Sequence, residues 1–518
     1  MAEETTPVGQ SPPPPGHAKA TYTRLESMRW MTLERARDCS ALTLPALIPP
    51  QHTTDQTALP TPFQSVGSRG VNNLSSKLLM ALFPPGTAFF RLKINSAVAQ
   101  QFGDKLSDVE TKLADVEQMI NDKVETERTR PLIAEILKHL IVGGNALLHV
   151  PSKEDMRFFR LDQYVICRDA MDKPLHAVLR ELTVAGSIHP EVAAQCQIPK
   201  GDEYAKVEVY TFIEWDYLSS QVSHWQEING IRVMGSNGFR PMDKSEWIPL
   251  RWIAVPGRDY GRGHVEEYLG DLRSLEGLSE SIVQFAQAAS KIILLVHANS
   301  TTSVKELNEA ESGDAITGSK ADIDMLQLEK AQDFQVANQV AERLEQRISY
   351  AFLLRSGATR DAERVTAEEI REMAQELEDA LGGVYTVLSQ EMQLPLVARF
   401  MAMMTEAREI PPLPKGVTKP VIVTGFEALG RNHSLNKLRA YFKDLADVFG
   451  PQVLAQRVDF NEVAARFGSG YGVEKPKDLW KTDQQVQQEQ STQMIQGMAQ
   501  KAAPQLAQGM IAKAGLSK

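Results

Sequence analysis

One run constrains this chain more than any other: ERVTAEEIREMAQELEDALGGVYTVLSQEMQLPLV, residues 363–397. It predicts a single, very long helix launched from a short arginine-bearing loop. Thr366 is a good N-cap, and Glu369 follows at the capping-box spacing that satisfies two orphan backbone N–H groups. Behind the cap, Ile370, Met373, Ala374, Leu377, Leu381, Val384 and Leu388 recur at three- and four-residue steps, an apolar stripe. Carried to Glu406, the helix holds roughly 40 residues and spans roughly 60 Å at 1.5 Å per residue. Few compact domains need such a rod. The run points to a coiled coil, a repeat array or a subunit of a large assembly.

With 518 residues, 42% of them hydrophobic, the chain can fill several packing units with apolar cores. Its formal charge of −10 argues against a protein that wraps nucleic acid by bulk electrostatics. Cys39, Cys167 and Cys196 form no CxxC pair, which fits a reducing environment and a fold without disulfides. Residues 1–20 carry acidic and proline-rich sequence (SPPPPG) rather than a signal peptide, and no run reaches the ~18–20 apolar residues that span a bilayer. The expectation is a soluble protein made in a cytoplasm.

Along the chain, residues 1–20 read as a disordered arm. Tyr22, Leu25, Met28 and Leu33 put a helix over 22–37. Val71, Leu74, Leu78, Leu79 and Leu82 form a second apolar stripe, stopped by Pro84, Pro85 and Gly86. Residues 106–124 are a cleaner amphipathic helix, and another opens near Pro131 and ends at Gly143 and Gly144. From 158 to 256 aromatic and β-branched residues dominate, and Asn229-Gly230 between WQEI and IRV is a strong hairpin signal. That section reads as antiparallel and β-rich. Gly257, Gly261 and Gly263 mark a hinge into a helix containing VEEYLGDL. Its partner, FQVANQVAERLEQRISYAF, shows Val336, Val340, Leu344 and Ile348 at four-residue steps. Between the two lie a strand at 292–296, a polar excursion and a strand around IDMLQL: a stalk with a distal tip. After the rod come a proline-rich linker (IPPLPKG), a strand (PVIVTG), a helical section and a Gln/Ala-rich tail of low complexity. The fold class is mainly α with a β-rich section, α+β.

Several motifs invite chemistry and fall short. GDAITGSK, residues 313–320, approximates a P-loop, but Ser319 and Lys320 are transposed and no long apolar strand precedes the glycine; an exposed turn is the better reading. His264 and Glu267 can face one another on a helix, yet a solvated helix start with charges matched to the dipole fits them better than a metal or acid–base pair. Asp322 and Asp324 share a strand face without the further ligands of a calcium loop. The carboxylates from Glu368 to Asp379 read as the solvated face of a capped helix. No GxSxG, HExxH or Cys/His nucleophile pattern occurs. The polar cluster that stands out is Arg355, Arg360 and Arg364, tempered by Asp361 and Glu363, just outside the N-terminus of the rod.

At these residues the chain resembles the head-to-tail connector, or portal, proteins of short-tailed bacteriophages. The strings that carry the likeness include TPFQSVGSRGVNNLSSKLLMALFPP (61–85), YGRGHVEEYLGDLRSLEGL (260–278), LQLEK (326–330), ERVTAEEIREMAQELEDALGGVY (363–385), LSQEMQLPLV (388–397) and TGFEALGR (424–431). They run in order from about residue 20 to about residue 480; the arm, residues 185–205 and the tail do not match. The resemblance implies a ring, usually of about twelve copies, at one capsid vertex of the virion, through which double-stranded DNA is packaged and later ejected. It implies a wing at 21–263, stem helices at 264–293 and 333–354 around a clip at 294–332, and a tunnel loop at 355–365. A long wing-to-crown helix at 366–406, a wing return at 407–430, crown helices at 431–480 and a tail at 481–518 complete the layout. The implied partners are other copies of the chain, DNA, a terminase motor that hydrolyses ATP, tail adaptors, and capsid, scaffold and internal core proteins. No enzymatic activity, cofactor, metal or membrane is implied. The alternative is an enzyme acting on nucleotides or nucleic acid through the GDAITGSK turn.

A channel gives the charges a reason. A ring of about twelve copies would carry about −120. A rod-length stretch of duplex holds roughly 35 phosphates, and a basic wall of that length would bind DNA tightly and stall it. An acidic protein with one ring of Arg355, Arg360 and Arg364 instead offers brief, sequence-blind contact at a constriction. Within the rod, Gly382 and Gly383 are expected to act as a hinge, because paired glycines cost roughly 1–2 kcal/mol in a helix interior and favour kinks.

Overall fold

The computed structural model describes residues 14–354, 377, 380–410, 418–422, 441–450, 458 and 463, apart from residues 55, 85–88, 95–105, 127–128, 153–154, 200, 290–292, 300–301, 320, 322 and 327–330. The chain divides into two units, Met1–Phe426 and Glu427–Lys518; the second contributes a helical stretch at 441–449. The first unit begins α1 (His17–Ala41), α2 (Val66–Leu82), β1 (Phe90–Ile94), α3 (Leu106–Thr126), α4 (Thr129–Gly143), β2 (Asn145–His149) and β3 (Arg157–Phe159). It continues through β4 (Tyr164–Arg168), β5 (Pro174–Val184), α5 (Pro190–Gln195), β6 (Lys206–Asp216), β7 (Gln221–Ile228), β8 (Ile231–Arg232), β9 (Gly238–Pro241) and β10 (Trp247–Arg251). Then come α6 (His264–Glu267), α7 (Leu269–Ala289), β11 (Ile293–Val296), α8 (Val304–Glu309), β12 (Ile323–Leu326) and α9 (Ala331–Ala351). Past the arginine segment follow α10 (Gly383–Leu388), a π turn (Ser389–Gln393), α11 (Leu394–Glu406) and β13 (Thr418–Ile422). Helices and sheets coexist as an α+β fold.

The β-rich section is antiparallel, in the order β4-β5-β6-β7-β8, with β9 also on β7. Its β7–β8 turn is the expected one: Asn229 and Gly230 stand at φ 52° and 76°, both left-handed, as a two-residue type I′ turn requires. Helix α1 lies on this sheet through Tyr22, Leu25, Leu33 and Ala36, all buried. It starts at His17, inside the stretch expected to be a disordered arm. The reason is tertiary. The buried carboxylate of Glu227 on β7 accepts from the backbone N–H groups of Ala18 and Lys19 at 3.1 and 3.2 Å, capping a helix whose own sequence supplies no cap.

A second layer carries the largest core. The sheet β10-β2-β3 meets α2, α3, α4, the stalk helices and the rod, with Leu74, Leu78, Ile136, Leu140, Leu148 and Phe400 among its fully buried side chains. The strand expected in PVIVTG is β13, and its partner β1 pairs with it antiparallel, Phe90 opposite Ile422. At five residues, β1 is too short to announce itself by alternation.

The stalk is as expected: α7 and α9 run antiparallel, Phe285 stacks on Phe334 at 4.8 Å, and Asp271 pairs with Arg347 at 2.9 Å. Between them β11 and β12 form a two-stranded antiparallel ribbon. Two expectations need correction. The inward stripe of α9 is Phe334 and Ala337, half-buried, then Ala341, Leu344 and Ile348, buried, whereas Val336 and Val340 face away and are 61% and 40% exposed. Of the glycines expected to form a hinge before the stalk, Gly261 and Gly263 sit in a close-packed joint, whereas Gly257 stands in open space at φ 73°. A Cβ on Gly261 would come within 2.7 Å of the Ile253 carbonyl, and one on Gly263 within 2.6 Å of the Val142 carbonyl. Asn145 closes the joint by donating to the Gly261 carbonyl at 2.9 Å and accepting from its N–H at 2.7 Å.

The rod is interrupted where the structure describes it. Gly382 adopts φ 53°, ψ −121°, outside the helical region, and α10 begins after it. Five residues of π turn then separate α10 from α11. Pro395 explains that turn. It cannot donate to the residue four before it and its ring crowds that carbonyl, so the coil widens ahead of it and a fresh helix starts with Pro395 in its first turn.

Candidate functional site

Arg355, Arg360 and Arg364 lie outside the described residues, as do Thr366, Glu369 and most of the acidic run that follows. What the structure describes is the chain to either side of them: the end of α9 just before, and α10 with the π turn well after, are each hydrogen-bonded to α2.

On the outgoing side, α9 ends in Phe352 and Leu353, the latter in the left-handed region at φ 54°. Asn73 donates from Nδ2 to the carbonyls of both residues at 3.0 Å, and Lys77 donates from Nζ to the Leu353 carbonyl at 3.0 Å. Phe352 is seated on Gly70, where a Cβ would stand 2.7 Å from its ring. From the other flank, His264 places Nε2 3.0 Å from the Ala351 carbonyl, buried among Trp252, Tyr268 and Phe352. Burial pushes the imidazole pKa down, so the ring is neutral and Nε2–H is the donor. His264 is thus a core residue, neither a metal ligand nor the solvated helix start expected of it.

On the returning side, Tyr385 donates its hydroxyl to the Ala81 carbonyl at 3.1 Å, and Gln393 donates Nε2 to the Leu82 carbonyl at 2.5 Å. Those two carbonyls belong to the last turn of α2 and have no partner within the helix. From Asn73 to Ala81 a helix rises about 12 Å. The end of α9, and α10 with the π turn farther along, are therefore both tied to one short helix.

Two ion pairs, each built on a buried arginine, hold the rod to the β10-β2 sheet. Arg251 on β10 directs Nε and Nη2 to Glu391 of the π turn at 3.2 and 2.6 Å. Arg399 of α11, wholly buried, donates to the Val150 carbonyl at 2.8 Å, to Ser152 Oγ at 2.7 Å and to Glu246 at 3.0 Å. Arg240 reaches the same carboxylate at 2.8 Å, with His149 at 3.9 Å. Burial alone would raise the Glu246 pKa; His149, Arg240 and Arg399 outweigh it and bring the carboxyl down to about 2.

A family profile described as bacteriophage head to tail connecting protein matches residues 16–478. The portal protein of Escherichia phage T7 is 39% identical over 527 residues, covering 100% of this chain and 97% of its own. That of Enterobacteria phage T3 is 39% identical, covering 96% and 97%. A chain solved in the virion of a gene transfer agent shows a faint likeness, with 9% identity and a TM-score of 0.36 over 74% of this chain and 89% of that one. This chain belongs to the bacteriophage head-to-tail connecting proteins.

Gly313–Ser319 is an exposed turn between α8 and β12, the reverse of the strand–turn–helix order that a phosphate loop needs. Its Ser319 N–H donates to Thr302 Oγ1 at 3.2 Å, a local contact. No cluster of three or more metal-ligating side chains occurs among the described residues, and no described helix is long and apolar enough to cross a membrane. Burial, with Glu266 and Asp38 nearby, pushes the Cys39 thiol up to about 12, which leaves it an inert core residue. The buried anchors Lys77, Arg251, Gln393 and Arg399 were missed from sequence, because a polar residue in an apolar stripe looks like surface until its partners are known.

Proposed function

We propose that this chain is one subunit of a portal ring of about twelve copies. It stands at a capsid vertex, passes double-stranded DNA through its centre, and docks a terminase motor and later tail adaptors. What supports this reading is the full-length likeness to portal proteins, together with a base on which the loop bearing Arg355, Arg360 and Arg364 would be mounted: α2 holds the end of α9 just before those arginines and the rod from Tyr385 onward, and is itself locked into the largest core. A loop so mounted can bear on a moving polyanion without dragging its subunit along. In this layout residues 21–263 are the wing, α7 and α9 the stem, residues 294–332 the clip and residues 355–365 the tunnel loop. Gly382 and Gly383 are the joint through which the rod shifts between packaging and release. The protein is a structural conduit with no ATPase of its own; the fuel belongs to the motor. The deciding experiment is to purify the full chain, image it down its symmetry axis and assay ATP turnover. A ring of about a dozen subunits without turnover is expected. A monomer that hydrolyses nucleotide would sink the proposal.

A further inference from the structure

At the end where the chain enters it, the six-stranded sheet is covered on one face and bare on the other. Side chains of β5 alternate between two cores: Ala177 and Leu179 face one, and Val178 faces the other, beneath α1. Past Arg180 the first face stays covered, because Cys196 and Ile198, just after α5, pack with Val207, Ile228 and Val233 in a small core of their own. The α1 face does not. Arg180 lies over the Tyr22 ring of α1 at 5.1 Å, and beyond it Leu182 and Val184 are 61% and 41% exposed. Lys206, opposite Val184 on β6, is exposed as well.

The same stretch of β5 is a free edge. Its pairing with β4 stops at Leu179, opposite Tyr164, and one more bond runs from the Arg180 N–H to the Gln163 carbonyl at 2.8 Å. Ala185 donates the other way, to the Ala205 carbonyl on the β6 side, at 2.9 Å. Main-chain direction alternates along a strand, so Leu182 and Val184 turn their N–H groups away from β6. No described strand lies beside them there. An apolar edge left open in this way is a template for one more strand.

Where the chain enters names the occupant. Gly16, at φ 75°, donates its N–H to the Gly230 carbonyl at 3.0 Å, so the chain joins this sheet at the β7–β8 turn, on the α1 face. From there the open flank of β5 is three strand spacings away, roughly 15 Å. Residues 1–13 lie outside the described residues, and their composition suits the crossing. PVGQSPP, residues 7–13, is uncharged, spans roughly 20 Å as a polyproline helix and is pre-extended, so ordering it costs little. Ahead of it stand Glu3, Glu4, Thr5 and Thr6; two acids and no Lys or Arg suit a face bordered by Arg180 and Lys206. We propose that residues 1–13 strap this corner of their own chain. Pro7–Pro13 cross the bare face with Val8 on Leu182 and Val184, and Glu3–Thr6 add as a strand along the free edge of β5. The strap withholds that edge from pairing with other chains, and it forms in a single subunit, with or without a ring.

The test uses the full chain and reads amide hydrogen exchange at Leu182 and Val184 by mass spectrometry. Both amides are expected to exchange slowly in wild type and several-fold faster in the double variant Thr5→Pro/Val8→Glu, which removes a donor from the added strand and charges the strap. The pair Val8→Cys/Leu182→Cys should close a disulfide within one chain on oxidation, running as a monomer on a denaturing gel and absent from each single variant. Fast exchange in wild type would overturn the strap. Slow exchange that the arm variant leaves unchanged would give the edge to another occupant and overturn it too. Covalent multimers in place of the link within one chain would mean that the arm reaches a neighbouring copy, which also overturns the proposal as stated.

Discussion

Gly382 holds φ 53°, ψ −121°, while its neighbour Gly383 is an ordinary first helical residue. The pair that looks like one hinge in sequence is therefore two different residues. Alanine at 382 meets no steric neighbour but must adopt a backbone conformation that L residues avoid, at about 1–2 kcal/mol. Alanine at 383 meets open space in helical geometry and should be neutral or stabilise by up to about 1 kcal/mol. Urea unfolding of Gly382→Ala and Gly383→Ala checks the split; equal effects would mean that the break at 382 does not persist in solution. Glu246 gives a second prediction at this scale. Its folded pKa, about 2, lies below its ordinary value of 4.5, so its contribution is full above about pH 4.5 and disappears as pH falls towards 2. Near neutrality Glu246→Gln should cost about 3 kcal/mol, since it leaves Arg399 buried against a neutral partner. The gap between variant and wild type should close as pH falls through that window in denaturation series. Neither prediction was available from residue type alone, because a glycine's φ and a carboxylate's neighbours are set by distant parts of the chain.

Elements were legible where their own residues decide them. The Asn229-Gly230 turn, the stripe of α2 and the helix–ribbon–helix order of the stalk follow from local chemistry and appear as read. Boundaries were lost where a partner supplies the decisive group. The start of α1 depends on Glu227, more than two hundred residues away in the chain, and nothing near Gly16 foretells it. Replacing Glu227 with alanine should therefore fray the first turn of α1. The expected result is faster hydrogen exchange at Ala18 and Lys19, with a loss of about 1–2 kcal/mol. Unchanged exchange at those amides would show that the cap is redundant. The rod failed for a different reason. Its apolar stripe runs straight through Pro395, and weight given to periodicity hid a residue that cannot sit in a helix interior without rearranging the turn before it. A stripe says which face is buried; it does not say that the helix is continuous. The mixed reading of α9 has the same origin, since Val336 and Val340 are as apolar as Leu344 but turn to the other side.

For the whole molecule, the same counting that makes the chain acidic makes three arginines conspicuous. Each subunit brings a formal charge of −10, so DNA moving through a ring of such subunits meets a surface that does not hold it, except where basic side chains are presented together. Helix α2 offers such a loop a fixed base: Asn73 and Lys77 fasten the end of α9 just before the arginines, and Tyr385 and Gln393 fasten the rod farther along the chain. We propose that Arg355, Arg360 and Arg364 act together as a valve on phosphate, sequence-blind and dependent on salt. Replacing all three with alanine should leave ring assembly and filling intact, because no anchor of the base is touched. Filled heads should then leak DNA faster than wild type, and the difference should shrink as ionic strength rises, since the lost contacts are electrostatic. Replacing Lys77 with methionine tests the base instead of the valve: it loosens the Leu353 carbonyl while keeping every arginine, and should also impair retention. If the triple-alanine heads retain their genomes as wild type does at low salt, the arginines are not the valve. If only the Lys77 variant leaks, the retaining contact lies on the base itself.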